Sequence, residues 1–356
     1  MSETIPERID SVLVTGGTGF LGLHICESFS RQGVNVTALD LRPFQAEDEI
    51  TDVNYVRCDV RQEEAVRNAI ADADAVIHAA SALPTWDDSE VQDVTVEGTR
   101  TVLRASREQE VDRVVHVSSA AVYGRRDRPP VTEESTLEPR SLYGKAKLKA
   151  EEVCEEARQS GQCVSILRPQ AMIGSQRLGV FQILFDWVDS GANIPLIGSG
   201  HNRYQLLHVS DMVRAIEELL TVERAQANAT YNVGADEFDT MREDFHALID
   251  RAGTGKRVIG TPAVLAITAL DVLTILDMCP LYPSLYRTAE EDTYLAVEKL
   301  KALGWRPQYS NQEALIDTFD WYREQYDVNT AGSGVGNRSA RDQLALEPIK
   351  RLFSVF

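Results

Sequence analysis

From Ser11 onward, short runs rich in β-branched residues alternate with longer stretches in which apolar residues recur every three or four positions. The short runs SVLVT (11–15), VNVTALD (34–40), VNYVRCD (53–59), ADAVIHAA (73–80), VDRVVHVSS (111–119) and CVSILRP (163–169) predict strands. Helical patterns fall near 20–31, in the stretch leading to about Arg107, and from about Leu142 to Arg158. Strands separated by helices predict an α/β fold built on a doubly wound parallel sheet.

After Pro169 the pattern becomes irregular, with loop-rich stretches near 174–180 and 190–205 and a final helical run to Tyr326. The expected organisation is a dinucleotide-binding domain over 1–168, to which 206–235 returns. A smaller C-terminal substrate lobe takes 169–205 and 236–328. The Gly/Ser/Asn-rich stretch 329–340 opens a flexible linker and tail over 329–356. That tail is amphipathic in places but broken by Pro348, so packing on its own surface and peripheral membrane contact both stay open.

One stretch, Pro262 to Leu276, is apolar on nearly every side: beyond the proline, Thr268, Asp271 and Thr274 are its only polar residues. As a helix it would reach roughly 22 Å, short of a bilayer core of ~30 Å, so no transmembrane segment is expected. Most of its circumference wants burial, as a core helix or dimer contact, or as the wall of a lipid-like or steroid-like substrate site.

The 356 residues carry 55 acidic and 36 basic side chains, a net charge of −19, so nucleic acid is not an expected partner. Only seven of the basic residues are lysines, an acidic and lysine-poor surface that hints at a salt-loving source. Screening relieves acidic self-repulsion, so the thermal unfolding midpoint should rise between low and molar salt. Five scattered cysteines without C-x-x-C and six histidines without H-x-x-x-H predict neither a disulfide framework nor a metal site. With a polar, acidic beginning in MSETIPERID, the expected location is cytoplasmic.

TGGTGFLG (15–22) follows a predicted strand and opens a predicted helix, with Gly16, Gly19 and Gly22 spaced to let backbone approach a pyrophosphate. Asp40 ends the next strand, 18 residues past Gly22, where a carboxylate accepts from an adenosine ribose and repels a 2′-phosphate. NAD is therefore expected rather than NADP, although Arg42 keeps NADP open, and Asp40 also reads as a turn-capping residue.

Tyr143 and Lys147 in YGKAK lie four apart on a predicted helix and so project from one face. A phenol with a pKa near 10 needs about three units, or roughly 4 kcal/mol, to act as a base near neutrality, which a neighbouring ammonium and a nicotinamide cation would help supply. Ser119 ends a predicted strand 24 residues earlier, at the sheet edge where ligands bind, and offers a hydrogen bond to a substrate oxygen.

TGGTGFLG, Asp59-Val60, VIHAAS, VSSAAVYG, YGKAK, LRP, HVSDM, YNVG and LGWRP together resemble the extended short-chain dehydrogenases/reductases of the NAD-dependent epimerase/dehydratase family over about residues 10–326. The resemblance implies a Rossmann-like fold, a homodimer and a small-molecule substrate. It implies Gly16, Gly19, Phe20, Leu21 and Gly22 at the pyrophosphate, Asp40 at the ribose, and Asp59 and Val60 near the adenine. His78, Ala79 and Ala80 would line the dinucleotide, Ser119, Tyr143 and Lys147 would be catalytic, and Ser81, Tyr204 and Arg287 are candidate substrate contacts.

Departures from the family pattern bear on the substrate. Dehydratases of the family carry an acidic pair just after the catalytic Ser or Thr, where this chain has Ala120 and Ala121, and Thr95 stands where Asn is frequent. Nucleotide-sugar enzymes often have an arginine where GSGHNRYQL (198–206) has Tyr204, with Arg203 one residue off. The leading expectation is a nucleotide-sugar epimerase that passes through a keto intermediate. The alternatives are a dehydrogenase of a steroid-like or lipid alcohol with net NADH formation, and a dinucleotide sensor without turnover.

Overall fold

A computed structural model describes residues 9–45, 48, 50–82, 86–124, 128–176, 178–276, 279, 281, 283–325 and 350. The expected linker and tail at 329–356 lie outside the described residues apart from Lys350. In chain order the strands are β1 (Ser11–Thr15), β2 (Asn35–Asp40), β3 (Val53–Arg57), β4 (Ala75–His78), β5 (Arg113–Val117), β6 (Val164–Pro169), β7 (Ala171–Ile173), β8 (Ile194–Ile197), β9 (Leu206–His208), β10 (Thr230–Val233) and β11 (Val258–Thr261). The helices are α1 (Phe20–Arg31), α2 (Glu63–Ile70), α3 (Asp88–Gln92), α4 (Gly98–Glu108), α5 (Leu142–Gln159), α6 (Phe181–Asp189), α7 (Val209–Thr221), α8 (Arg224–Ala227), α9 (Met241–Ala252), α10 (Ala263–Ile275), α11 (Pro283–Tyr286), α12 (Glu298–Lys301) and α13 (Asn311–Gln325).

Two compact units are present. The first runs to Gln170 and regains the chain at Val209–Val233 and Leu295–Arg306; the second takes Ala171–His208, Gly234–Tyr294 and the residues from Pro307 on. The first unit holds a seven-stranded sheet in the order β10-β6-β5-β4-β1-β2-β3, every pair parallel. Its central strands β4, β5 and β6 are buried along their whole length, as a parallel sheet covered on both faces requires. Leu13, Val76, Val114 and Ile166 of the strands pack with Val66 and Ile70 of α2 and Val102 of α4. The strand order reverses between β1 and β4, and ligands of open α/β sheets bind beyond the strand ends at such a point.

The segment returning to the first unit is shorter than the expected 206–235. β9 pairs with β7, and Ala235 N donates to Leu206 O at 2.9 Å, which keeps both ends in the second unit. Residues 295–306, expected in the substrate lobe, belong instead to the first unit: Ala296 N donates to Val131 O at 2.8 Å and the Lys299 ammonium lies 5.2 Å above the Tyr231 ring. The helical stretch leading to Arg107 is not one continuous α-helix. A π-helical turn, Asp93–Glu97, joins α3 to α4, and Gly98 follows it where a Cβ would stand 2.7 Å from Val60 Cγ2.

In the second unit, β8 pairs in parallel with β11, so the stretch 190–205 is not all loop; a four-residue strand carries too little pattern to stand out. Phe185 of α6, Leu248 of α9 and Phe319 of α13 form the core, with the Phe185 and Phe319 rings 5.6 Å apart. α9 starts with a capping box in which Thr240 and Glu243 satisfy each other's backbone N–H groups. The apolar helix α10 is not a core helix: none of its residues is buried among the described ones.

Candidate active site

β1 ends at Thr15 and α1 begins at Phe20 behind the N-cap Gly19, so the loop between them sits at the switch point of the sheet. Gly19 provides no side-chain cap, leaving the first-turn N–H groups of Phe20, Leu21 and Gly22 facing the cradle without one. A Cβ on Gly22 would stand 2.0 Å from Gly16 O, so only glycine lets α1 pack this tightly on the loop. A Cβ on Gly16 would meet Ala80 Cα at 2.9 Å, so this glycine lets the loop pack directly on the Ala79–Ala80 backbone. Uncapped N–H groups at the start of α1 suit an anionic pyrophosphate.

Asp40 closes the cradle at the end of β2. Its carboxylate accepts from Arg42 N at 3.2 Å and Thr18 N at 3.3 Å, so it does cap the turn while standing beside the glycine loop. Asp59 is engaged by Arg61 through backbone N at 2.9 Å and guanidinium Nη2 at 2.6 Å, and the Arg61 hydrogen bond holds its carboxyl below the usual range. Val60 is buried against Gly98.

His78 turns away from the cradle. Ala80 N donates to Thr15 Oγ1 at 3.2 Å, and Thr15 Oγ1 meets His78 Nδ1 at 2.7 Å. On the other side of the ring, His78 Nε2 meets Thr99 Oγ1 at 2.9 Å, and Thr99 donates onward to Thr95 O. The ring is buried, and that burial, with the charge of Lys147 behind it, pushes its pKa down to about 3. It is therefore a neutral internal strut that fixes the exit of β4. The backbone carbonyl of Thr95 ends this hydrogen-bond chain, and its hydroxyl lies 3.3 Å from Ser81 Oγ.

Ser119, Tyr143 and Lys147 come together where β5 ends. Ser141 caps α5 by accepting from Gly144 N at 3.0 Å. A Cβ on Gly144 would stand 2.6 Å from Ala121 O, so the glycine lets the first turn of α5 press on the Ser119–Val122 turn. Tyr143 and Ser119 are thereby brought to one corner, close enough for Ser119 to counter part of the effect of burial on the phenol. Lys147 is 2% exposed and donates to Val117 O at 2.8 Å, with its ammonium 5.9 Å from the Tyr143 ring centre.

The electrostatics differ from the expectation that Lys147 depresses the tyrosine. Burial raises Tyr143 above its ordinary value of 10, partly opposed by the neighbouring Ser119, and burial lowers Lys147 to about 8, partly opposed by Glu151. In the protein alone the pair is a neutral phenol beside a weakened ammonium.

Beneath this corner lies a buried network that pattern reading missed. Glu151, one turn beyond Lys147 on α5, accepts from Ser118 Oγ and pairs with Arg168 of β6 at 2.6 and 3.0 Å. Arg168 Nη1 also donates to Tyr123 OH at 2.9 Å, and Tyr123 donates to Asn232 Oδ1 at 2.6 Å. The only sequence signal was the i, i+4 spacing of Lys147 and Glu151.

The candidate substrate residues of the second unit have other occupations. Tyr204 packs against the core containing Phe185 and Phe319, and its carbonyl accepts from Asn311 Nδ2 at 2.7 Å. Arg287 pairs with Asp271 of α10 at 2.8 Å instead of standing ready for a diphosphate.

Residues 12–234 match the model of the NAD dependent epimerase/dehydratase family, which spans the cradle, Ser119, Tyr143 and Lys147. The chain belongs to that family. It is therefore an NAD-dependent enzyme of the extended short-chain dehydrogenase/reductase type. Within the family it is 35% identical over 333 residues to the uncharacterized protein y4nG of Sinorhizobium fredii, covering 93% of this chain and 82% of that one. A dTDP-glucose 4,6-dehydratase of Streptomyces niveus is 26% identical over 335 residues, 88% of this chain and 93% of the relative. The solved structure of Thermus thermophilus UDP-glucose 4-epimerase with NAD superposes with a TM-score of 0.70 at 26% identity, covering 88% of this chain and 99% of that one. Family members thus include both epimerases and dehydratases. The glycine loop packs too tightly for side chains and leads into the uncapped N–H groups of α1, which suits the pyrophosphate of the family's cofactor.

Proposed function

We propose that this enzyme is an epimerase of a sugar carried on a nucleoside diphosphate, inverting one ring carbon through a transient ketone. The observation that carries this reading is the convergence of Ser119, Tyr143 and the buried Lys147 just past the end of β5, with no acid at Ala120 or Ala121 to assist loss of water. When bound, NAD would supply the hydride acceptor for the oxidation and, once reduced, the hydride donor for the reduction. Tyr143 Oη removes the hydroxyl proton and gives it back, Ser119 Oγ donates to the same substrate oxygen, and Lys147 contributes positive charge beside the phenol. The Gly16–Gly22 cradle holds the pyrophosphate, Asp40 the adenosine ribose, and Ala79 and Ala80 the facing wall.

The names of relatives that act on UDP- and dTDP-glucose support a nucleotide-sugar substrate. The steroid or lipid alcohol reading loses its two supports, since Tyr204 is a packing residue and α10 is open on its outer face.

The test is to incubate the purified chain with UDP- and dTDP-hexoses and follow the sugar by proton NMR, with native mass spectrometry of the retained dinucleotide. Interconversion of epimers without accumulating NADH, and NAD held near one per chain, are the expected results. Stoichiometric NADH, or a dehydrated 4-keto sugar, would overturn the reading. Asp40→Ala should weaken NAD about 10- to 100-fold by removing a charged hydrogen bond, with a smaller effect on NADP. Titration calorimetry with both dinucleotides measures this, and unchanged NAD affinity would remove Asp40 from the ribose.

A further inference from the structure

Seven large apolar side chains are exposed among the described residues, and five of them lie on α10 and its C-cap. Val264, Leu265, Val272, Ile275 and Leu276 are 78, 69, 50, 82 and 59% exposed. At 3.6 residues per turn these five, with Thr268 and Ala269, fall in one arc of about 140°. A helix face meant for water carries charge, and this one carries none.

The polar groups of α10 are closed within its own unit. Thr268 Oγ1 donates back to Val264 O at 2.7 Å and Thr274 Oγ1 to Leu270 O at 2.9 Å. Asp271, the helix's single charge, accepts from Tyr286 OH at 2.6 Å and from Arg287 Nη2 at 2.8 Å and Nε at 3.2 Å. The Asp271–Arg287 pair is 35 and 60% exposed, so it keeps to the water beside the apolar arc.

We propose that α10 is a docking element for an uncharged lipid surface, lying along it with the Val264–Leu276 face immersed. The helix is 13 residues long, about 20 Å, and among the described residues no helix is long and apolar enough to cross a membrane, so the contact is in-plane. A second copy of the chain is a poorer occupant. Five aliphatic side chains are far fewer than the roughly 20–30 residues each partner gives a stable interface. The charge balance selects the lipid: residues 262–287 include two aspartates and one arginine, and the chain carries −19, so anionic headgroups would repel it.

The experiment is flotation of the full chain with phosphatidylcholine vesicles, at low and molar salt and with part of the lipid replaced by phosphatidylserine. Binding should grow with lipid concentration, survive molar salt, and weaken with phosphatidylserine at low salt. The double variant Leu265→Glu/Ile275→Glu should lose at least about tenfold in partitioning, while Leu265→Ala/Ile275→Ala loses less. Both should keep the parent's thermal midpoint, because these side chains are already in water. Absence of flotation for the parent overturns the proposal, as does equal flotation of the Glu variant. Binding only to phosphatidylserine would show a headgroup site instead. A parent dimer that the Glu variant makes monomeric, without flotation, would assign the face to a second copy. Flotation needs no turnover, so its failure and that of the epimerase reading are separate.

Discussion

Tyr143→Phe is expected to lower turnover about one hundred- to ten thousand-fold while the protein still folds and retains NAD. The substitution removes only the hydroxyl that faces Ser119's corner, leaving the ring on α5 and the Gly16–Gly22 cradle untouched. A second readout follows from the electrostatics. Burial holds the Tyr143 phenol above 10 and lowers Lys147 to about 8, so in NAD-free protein raising the pH discharges the lysine before it ionises the tyrosine. Subtracting the ultraviolet titration of Tyr143→Phe from that of the parent isolates this phenol, which should ionise above 10 without NAD and lower with it. Turnover in Tyr143→Phe within threefold of the parent would remove Tyr143 from the proton step.

Glu151→Ala is expected to cost about 3–5 kcal/mol of folding stability, because it leaves the Arg168 guanidinium buried without its counter-charge. Ser118 Oγ would lose its acceptor in the same step, and Ser118 precedes the catalytic candidate Ser119. Denaturant unfolding of the parent, Glu151→Ala and the double variant Glu151→Leu/Arg168→Met reads the effect. The double variant removes both charges and should recover most of the loss, since an apolar replacement of a buried pair is often close to neutral. A loss below 1 kcal/mol for Glu151→Ala would mean that water reaches the pair. Glu151 also offsets part of the burial penalty on Lys147, so Glu151→Gln should move the Lys147 pKa further below about 8 even where the fold survives.

The two effects differ in how far they could be anticipated. Tyr143 and Lys147 were visible because helix periodicity alone sets which face a residue four positions away shares. Glu151 has the same spacing, yet its role depends on Arg168 from another strand and Ser118 from a third segment, and no local pattern encodes that meeting.

The alternation of strand and helix, the glycine spacing from Gly16 to Gly22, the acid at Asp40 and the Tyr143–Lys147 pair were all legible in the sequence. Each reflects a short-range rule: side-chain periodicity, the torsional freedom of glycine, or residues sharing one turn. The inward turn of His78, the packing of Tyr204, the pairing of Arg287 with Asp271 and the membership of 295–306 in the first unit were decided by tertiary contacts. So was the exposure of α10: an apolar helix has the same sequence whether it is surrounded or bare, and only its neighbours in space determine which.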